Sequence, residues 1–400
     1  MPDRAWRSDE AARERYTPWL DPSWNAARTN LFLAALDLHR AFLVRSGNDG
    51  MAMLRAAMDV VRGAPRDAPA DAVLSAWQGL FLLTPVVSTT FASVARMLPS
   101  VGSEAFGWLL IDEAGQAAPQ AAAGAMWRAR RVVAVGDPLQ LEPVVTALHT
   151  TQARMRDHYG VSDLWLPSQQ SVQTLTDRVT PLGTHLRRDD DALWVGAPLR
   201  VHRRCAEPMF SVVNDAVYNG LMLHGAPGQA DRLGVLGPDV EERDPPVLDR
   251  PVRGSMWVDV RGEAEGNWIP AEGKAAIWVL RGLLGRHGLR TEDILVVSPF
   301  RAAAGRLRPM IRSTFGSGIT CGTVHVSQGK EASAVVLVLG GGTQGARSWA
   351  AARPNLMNVA VSRAKDRLYV VGERDQWKGL PYFDVLAARL GVYAFGDRSP

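Results

Sequence analysis

The sequence predicts an open α/β fold built on parallel sheets, and three observations carry that expectation. Apolar runs without alternation recur at 85–87, 108–111, 132–135, 257–260, 294–297, 334–339 and 368–371, bounded by Gly, Pro, Ser or Asp. Such runs suit strands covered on both faces, as in a parallel sheet. Helical stretches at 275–284 and 302–311 lie between several of them, the alternation that builds crossover units. The chain has 400 residues, 46% of them hydrophobic and 22% charged. That is long and apolar enough for two or three units with cores of their own.

The first 80 residues read differently. Leu31, Leu33, Ala34, Leu36, Leu38, Phe42 and Leu43 recur near helical period, which predicts a helix with one buried face. Residues 51–62 give a second such stretch, ended by Gly63 and Pro65. Residues 226–254, rich in Pro, Gly and Asp, read as a long surface loop. Residues 146–197 hold no clear strand and separate two groups of strands. The expected division is a helical arm over 1–80, a first sheet domain over 81–195 and a second over 196–400.

Composition narrows the function classes. No stretch approaches the roughly 18 apolar residues of a membrane span, and the polar start MPDRAWRSDE has no apolar leader core. Two cysteines, Cys205 and Cys321, make neither a disulfide framework nor a four-ligand zinc site, so the reducing cytoplasm is the expected location. The net charge of +4 is too mild to mark a nucleic-acid binder by itself.

Two motifs carry chemistry. In WLLIDEAGQ (108–116) an apolar strand ends in Asp112 and Glu113. Ligands of α/β sheets gather beyond the carboxyl ends of strands. Adjacent acids there divide the work of nucleotide hydrolysis. Asp112 would hold Mg²⁺, while Glu113 would orient and deprotonate the attacking water. Gln116 is placed to bond the γ-phosphate or that water. The plain alternative is a solvated acid pair at a strand end. In RVVAVGDPLQLEPVV (131–145) a second strand runs into Gly136-Asp137-Pro138-Leu139-Gln140. There Gln140 would sense phosphate and Asp137 would join the acids or the Mg²⁺ shell.

With later motifs in the expected order, these segments resemble superfamily 1 helicases, in the branch of the nonsense-mediated-decay and Okazaki-processing helicases. The resemblance runs from about Val86 to Gly372 and implies two RecA-like, P-loop NTPase-type domains. ATP would lie between them and single-stranded nucleic acid across their top. It implies that Thr89 and Thr90, in VVSTTFAS, contact nucleic-acid phosphates, although a helix cap explains them equally well. In LRVHRRC the family's Gln-Tyr-Arg-Met is only partly matched, and Arg204 falls on the arginine that reaches the γ-phosphate. VVSPFR would supply Ser298 and Arg301 as backbone contacts, though a surface arginine is the commoner reading. GTVHVSQGKE would set Thr323 and His325 toward nucleic acid, Gln328 and Gly329 toward phosphates, and Glu331 on the ribose. In NVAVSRAKDRLYVVG the resemblance makes Arg363 an arginine finger; Lys365 or Arg367 reads as plain basic surface near it.

A hydrolase of this type needs G-x-x-x-x-G-K-[ST] to cradle phosphates. Of the 45 basic residues only Lys274, Lys330, Lys365 and Lys378 are lysine, and none ends such a run. The expectation is therefore the C-terminal part of a longer helicase, with an incomplete first domain and 1–80 as an arm or insertion. ATP and Mg²⁺ would be cofactors. Single-stranded DNA or RNA, and an upstream polypeptide carrying the P-loop, would be partners. The competing expectation is a binding module derived from a helicase that does not hydrolyse.

Overall fold

The computed structural model describes residues 8–17, 21–63, 67–186, 193–225, 254–285, 288–327 and 329–396. The expected loop at 226–254 lies almost wholly outside them. The chain forms two compact units. The first comprises Met1–Pro138 and Glu142–Val179, the second Leu139–Leu141 and Thr180–Pro400.

The first unit opens with helices α1 (Glu10–Arg15), α2 (Pro22–Val61) and α3 (Ala70–Leu83). Asp21 caps α2 by accepting from Trp24 N–H at 3.0 Å, and Pro22 fills the first turn, where its missing N–H costs nothing. The stretches expected at 30–43 and 51–62 are one helix, kinked at Gly47, whose φ of 49° suits only glycine without strain. The apolar stripe is there, yet Leu31, Phe32, Leu33, Leu36, Leu38 and Phe42 are all exposed, and Ala57 is the helix's buried residue. Periodicity defines a face but not what covers it. Helix α3 is better seated. Val73 and Trp77 join Val94, Leu98, Val101 and Ala125 in a small core.

Residues 85–87 form no strand. Helix α4 (Phe91–Met97), strand β1 (Leu109–Ile111), helix α5 (Pro119–Trp127) and strand β2 (Val132–Ala134) follow, then helices α6 (His149–Tyr159) and α7 (Val172–Val179). β1 and β2 pair in parallel, Leu109 opposite Val132 and Ile111 opposite Ala134. One face packs on Ile111, Ala114, Ala122 and Val172. The other leaves Leu110 66% and Val135 48% exposed, unlike the double cover typical of parallel strands.

The second unit begins at Thr180, not near 195, because β3 (Gly183–Leu186) and β4 (Leu193–Gly196) form an antiparallel pair within it. Next come β5 (Val201–His202), helix α8 (Met209–Ala216) and β6 (Leu223–His224), with β5 and β6 parallel. The main sheet is built from β7 (Met256–Asp259), α9 (Pro270–Gly285), β8 (Ile294–Ser298), α10 (Arg301–Phe315), β9 (Thr320–Thr323), β10 (Ala332–Val338), α11 (Gln344–Ala351), α12 (Asn355–Ser362), β11 (Ala364–Gly372), α13 (Arg374–Trp377), α14 (Phe383–Arg389) and β12 (Gly391–Ala394). Its order is β12-β7-β11-β10-β8-β9, all parallel, the α/β class expected. Both faces are covered, and β8 is buried at every position. Trp257 is enclosed, its indole N–H donating to the Gly372 carbonyl at 2.8 Å. Among the described residues, no helix is long and apolar enough to cross a membrane.

Candidate functional site

In the first unit the acid motif closes into a tight turn. Glu113 follows β1 with φ 53° and ψ 41°, a left-handed conformation that strains a residue with a long side chain. Its backbone N–H donates to Asp112 Oδ1 at 2.9 Å, and its own Oε2 accepts from Gln116 Nε2 at 2.9 Å. Asp112 is exposed and Glu113 half-buried. The neighbouring strand end presses against this turn. Ala114 N–H donates to the Val135 carbonyl at 2.9 Å. A Cβ on Gly136 would sit 2.6 Å from Gly115 N, and one on Gly115 would sit 2.6 Å from Asp137 O. Both glycines are needed because backbone meets backbone here. Asp137 lies half-buried beside them. Thr89 and Thr90 are exposed at the start of α4, with Thr90 in the cap position and its hydroxyl bonded to Ser93 Oγ at 3.3 Å.

Gln140 leaves that unit. Leu139 and Leu141 are buried in the core of the second unit, and the segment is bonded there. Asn358 Nδ2 donates to the Leu139 carbonyl at 2.9 Å and to the Tyr218 hydroxyl at 2.9 Å. Asn355 Nδ2 donates to the Gln140 carbonyl. Arg363, only 3% exposed at the end of α12, donates from Nη2 to Gln140 Oε1 at 3.0 Å and from Nη1 to the Lys330 carbonyl at 3.4 Å. The phosphate-sensing candidate and the finger candidate are thus direct partners.

A second cationic group surrounds Glu331. Its carboxylate bonds Arg204 Nε at 3.1 Å and pairs with Lys365 Nζ. The Lys365 ammonium, aided by Arg204, holds the Glu331 carboxyl below its usual value. Lys365 is therefore engaged rather than plain surface, and Arg367 is buried. Arg204 stands on a turn gripped from both sides. His202 Nε2 accepts from Cys205 N–H at 3.0 Å, and His224 Nε2 lies 3.1 Å from the Cys205 carbonyl, to which it donates in that tautomer. Burial, with the charges of Arg204 and His224, pushes the His202 imidazole down to about 4, so it is the neutral acceptor this bond requires. Phe210 stacks on His224 at 4.6 Å. Burial pushes the Cys205 thiol up to about 12, which makes it a packing group and not a nucleophile. Gly329 turns with φ 70°, and Gln328 lies outside the described residues.

The remaining candidates meet on one rim. β8 and β9 are adjacent, with Ser298 opposite Thr323, so Arg301 and His325 follow neighbouring strand ends. Arg301 and His325 are exposed and Thr323 is half-buried. Burial first, then the nearby Arg301 charge, lowers the His325 pKa. Ser298 departs from expectation. It is fully enclosed, and its hydroxyl accepts from Phe300 N–H at 3.3 Å, so it shapes the turn instead of offering a surface. Sequence reasoning passed over His224, Asn355 and Asn358. Only their spacing around recognisable motifs could have drawn attention to them.

The chain is similar to several known proteins. Two family profiles, each described as an AAA domain, match residues 80–147 and 192–375. The chain is 24% identical over 327 residues to the "DNA replication ATP-dependent helicase/nuclease DNA2" of Xenopus laevis, covering 75% of this chain and 28% of that protein. It is 24% identical over 282 residues to the "DNA polymerase alpha-associated DNA helicase A" of Schizosaccharomyces pombe, covering 68% and 38%. Among solved structures, an arterivirus nonstructural protein 10 (helicase) in complex with DNA is similar at a TM-score of 0.32 and 18% identity, covering 68% of this chain and 42% of that one. The chain thus spans well under half the length of these relatives. The matched profiles and the helicase relatives, together with the ordered motifs, show that the chain belongs to the superfamily 1 helicases, in the branch of the nonsense-mediated-decay and Okazaki-processing enzymes.

Proposed function

We propose that this chain is the strand-gripping and nucleotide-responding part of an ATP-dependent nucleic-acid motor. The observation that carries the reading is the common rim of β8 and β9, where Arg301, Thr323 and His325 stand together beyond parallel strand ends. Arginine and short hydroxyl or imidazole donors there suit successive backbone phosphates of a single strand.

The donor set suits ATP and Mg²⁺. An exposed carboxylate at Asp112 fits an ion that keeps several waters and takes one or two carboxylates with the phosphates. When bound, the metal and triphosphate supply the polarised phosphoryl group. Glu113, held by Gln116, would accept the proton of the attacking water. Arg204 and Arg363 would stabilise charge on the phosphoryl oxygens, and they now rest on Glu331 and Gln140. Hydrolysis also needs a phosphate cradle, which we assign to a segment outside these 400 residues. The uncovered face of the β1–β2 sheet supports that assignment, because Leu110 and Val135 there await a covering element. A module that grips strands without hydrolysis is the second reading, favoured by the lack of any G-x-x-x-x-G-K-[ST] run in the sequence.

The test is binding of a labelled single-stranded oligonucleotide across a salt series, with ATP turnover measured in parallel. We expect salt-sensitive binding, a slope reduced by about 0.7 in Arg301→Ala, and negligible turnover. Binding that ignores both salt and Arg301 would contradict the grip. Robust turnover would contradict the need for an added cradle.

A further inference from the structure

We propose that Trp349 is a stacking platform for an unpaired base of the strand whose backbone runs along the β8–β9 rim, an inference that rests on the nucleic-acid reading above. Trp349 lies on α11 and is 58% exposed. Its ring leans on Phe300, with centroids 5.8 Å apart and planes tilted by 41°. Phe300 is itself buried and immediately precedes Arg301, so aromatic surface and backbone-binding charge are neighbours.

The platform is backed by fixed structure. The turn after β10 places Gly340 and Gly341 at φ 63° and 80°. A Cβ on Gly340 would come within 3.3 Å of the Phe300 ring, and one on Gly341 within 3.1 Å of it. The glycines therefore let backbone lie flat against Phe300. Arg347, two residues before Trp349, ties α11 to this turn by donating to the Gly341 carbonyl at 2.7 Å and to Gln376 Oε1 at 2.7 Å. Thr343 caps the same helix by accepting from Ala346 N–H at 3.2 Å. The tryptophan is thus held before any ligand arrives, which lowers the ordering cost of binding.

The chemistry of the occupant follows from the neighbourhood. Two other exposed tryptophans carry a cation over the ring, Arg131 over Trp108 and Arg128 over Trp127, both at 5.3 Å, while Trp24 and Trp165 are as exposed as Trp349, so exposure alone does not mark a platform. What sets Trp349 apart is the adjacent rim, where the exposed Arg301 supplies positive charge and His325 a hydrogen-bonding imidazole, a pairing that favours a polyanion. A ligand that is anionic along its backbone and flat along its side groups satisfies both surfaces at once. Single-stranded nucleic acid has that form, and every base offers a π face, so no sequence preference is expected.

The test uses the full chain and two labelled ligands of equal length, oligothymidylate and an abasic deoxyribose-phosphate oligomer, read by fluorescence anisotropy. Trp349→Ala should weaken oligothymidylate binding roughly ten- to hundred-fold and leave the abasic ligand unchanged. Trp349→Phe should retain most of the affinity. Arg301→Ala should weaken both ligands. If Trp349→Ala leaves oligothymidylate binding intact while Arg301→Ala weakens it, the platform is wrong and the grip stands. Equal losses on both ligands would also overturn the platform, since stacking needs a base. Failure of the unaltered chain to bind either ligand would overturn grip and platform together.

Discussion

Glu272→Gln is expected to stabilise the protein above neutral pH and to flatten its dependence of stability on pH. Glu272 is fully enclosed in the first turn of α9, with its carboxylate accepting from Gly340 N–H at 2.7 Å. Burial pushes its pKa up to about 8; the Gly340 bond opposes the rise and the charge of Glu373 adds to it. The folded state keeps a proton that the unfolded chain releases above about 4.5. Stability from this group is therefore fully present below that value and is lost as pH rises toward 8, at about 1.4 kcal/mol per pH unit. Glutamine keeps the acceptor for Gly340 and never ionises. Denaturation at about pH 5.5 and about pH 8.5 checks this, since the variant and the parent should differ mainly at the higher value. Parallel pH profiles would contradict it. Glu272 supports the Gly340–Gly341 turn beneath Phe300, so the substitution should leave strand binding unchanged.

Arg363→Ala is expected to cost about 2–4 kcal/mol and to release the segment around Gln140. The guanidinium is buried, and it bonds Gln140 Oε1 and the Lys330 carbonyl. Truncation removes both bonds and leaves a cavity where the buried guanidinium lay. Hydrogen exchange should rise at amides 139–141, where the buried Leu139 and Leu141 are otherwise held by Asn358 and Asn355. Arg363→Lys should fall between parent and alanine, keeping the charge but losing the planar fork. Unchanged exchange at 139–141 would show that Arg363 and Gln140 are independent.

The second unit was largely legible in the sequence because β7, β8, β10 and β11 are continuous apolar runs, and only a doubly covered parallel sheet makes such runs stable. The motifs were legible because they sit at strand ends, and the β8–β9 register then brings Arg301, Thr323 and His325 together. Long-range partnership was not legible. Nothing in GDPLQ says that Gln140 bonds a residue more than two hundred positions later, and nothing in SPFR says that Ser298 faces inward. The stripe on α2 misled for a related reason: its period describes Leu31, Leu36 and Phe42 correctly but is silent about exposure. The 85–87 run lacked what makes a strand, a neighbour to bond with. The β3–β4 pair went unseen because each strand is only four residues long and Thr184 and His185 break the apolar pattern of β3. Trp349 and Glu272 gave no sequence signal, since one lies in an ordinary amphipathic helix and the other is a lone acid among small residues.

The most direct measurement is a photo-cross-linking map of the full chain on a single-stranded oligonucleotide, with modified peptides identified by mass spectrometry. The account predicts adducts in the segments around Arg301, Thr323–His325 and Trp349, all suppressed by excess unlabelled single strand. Adducts confined to the exposed helix α2, or scattered over arginines with no enrichment at the β8–β9 rim, would contradict it.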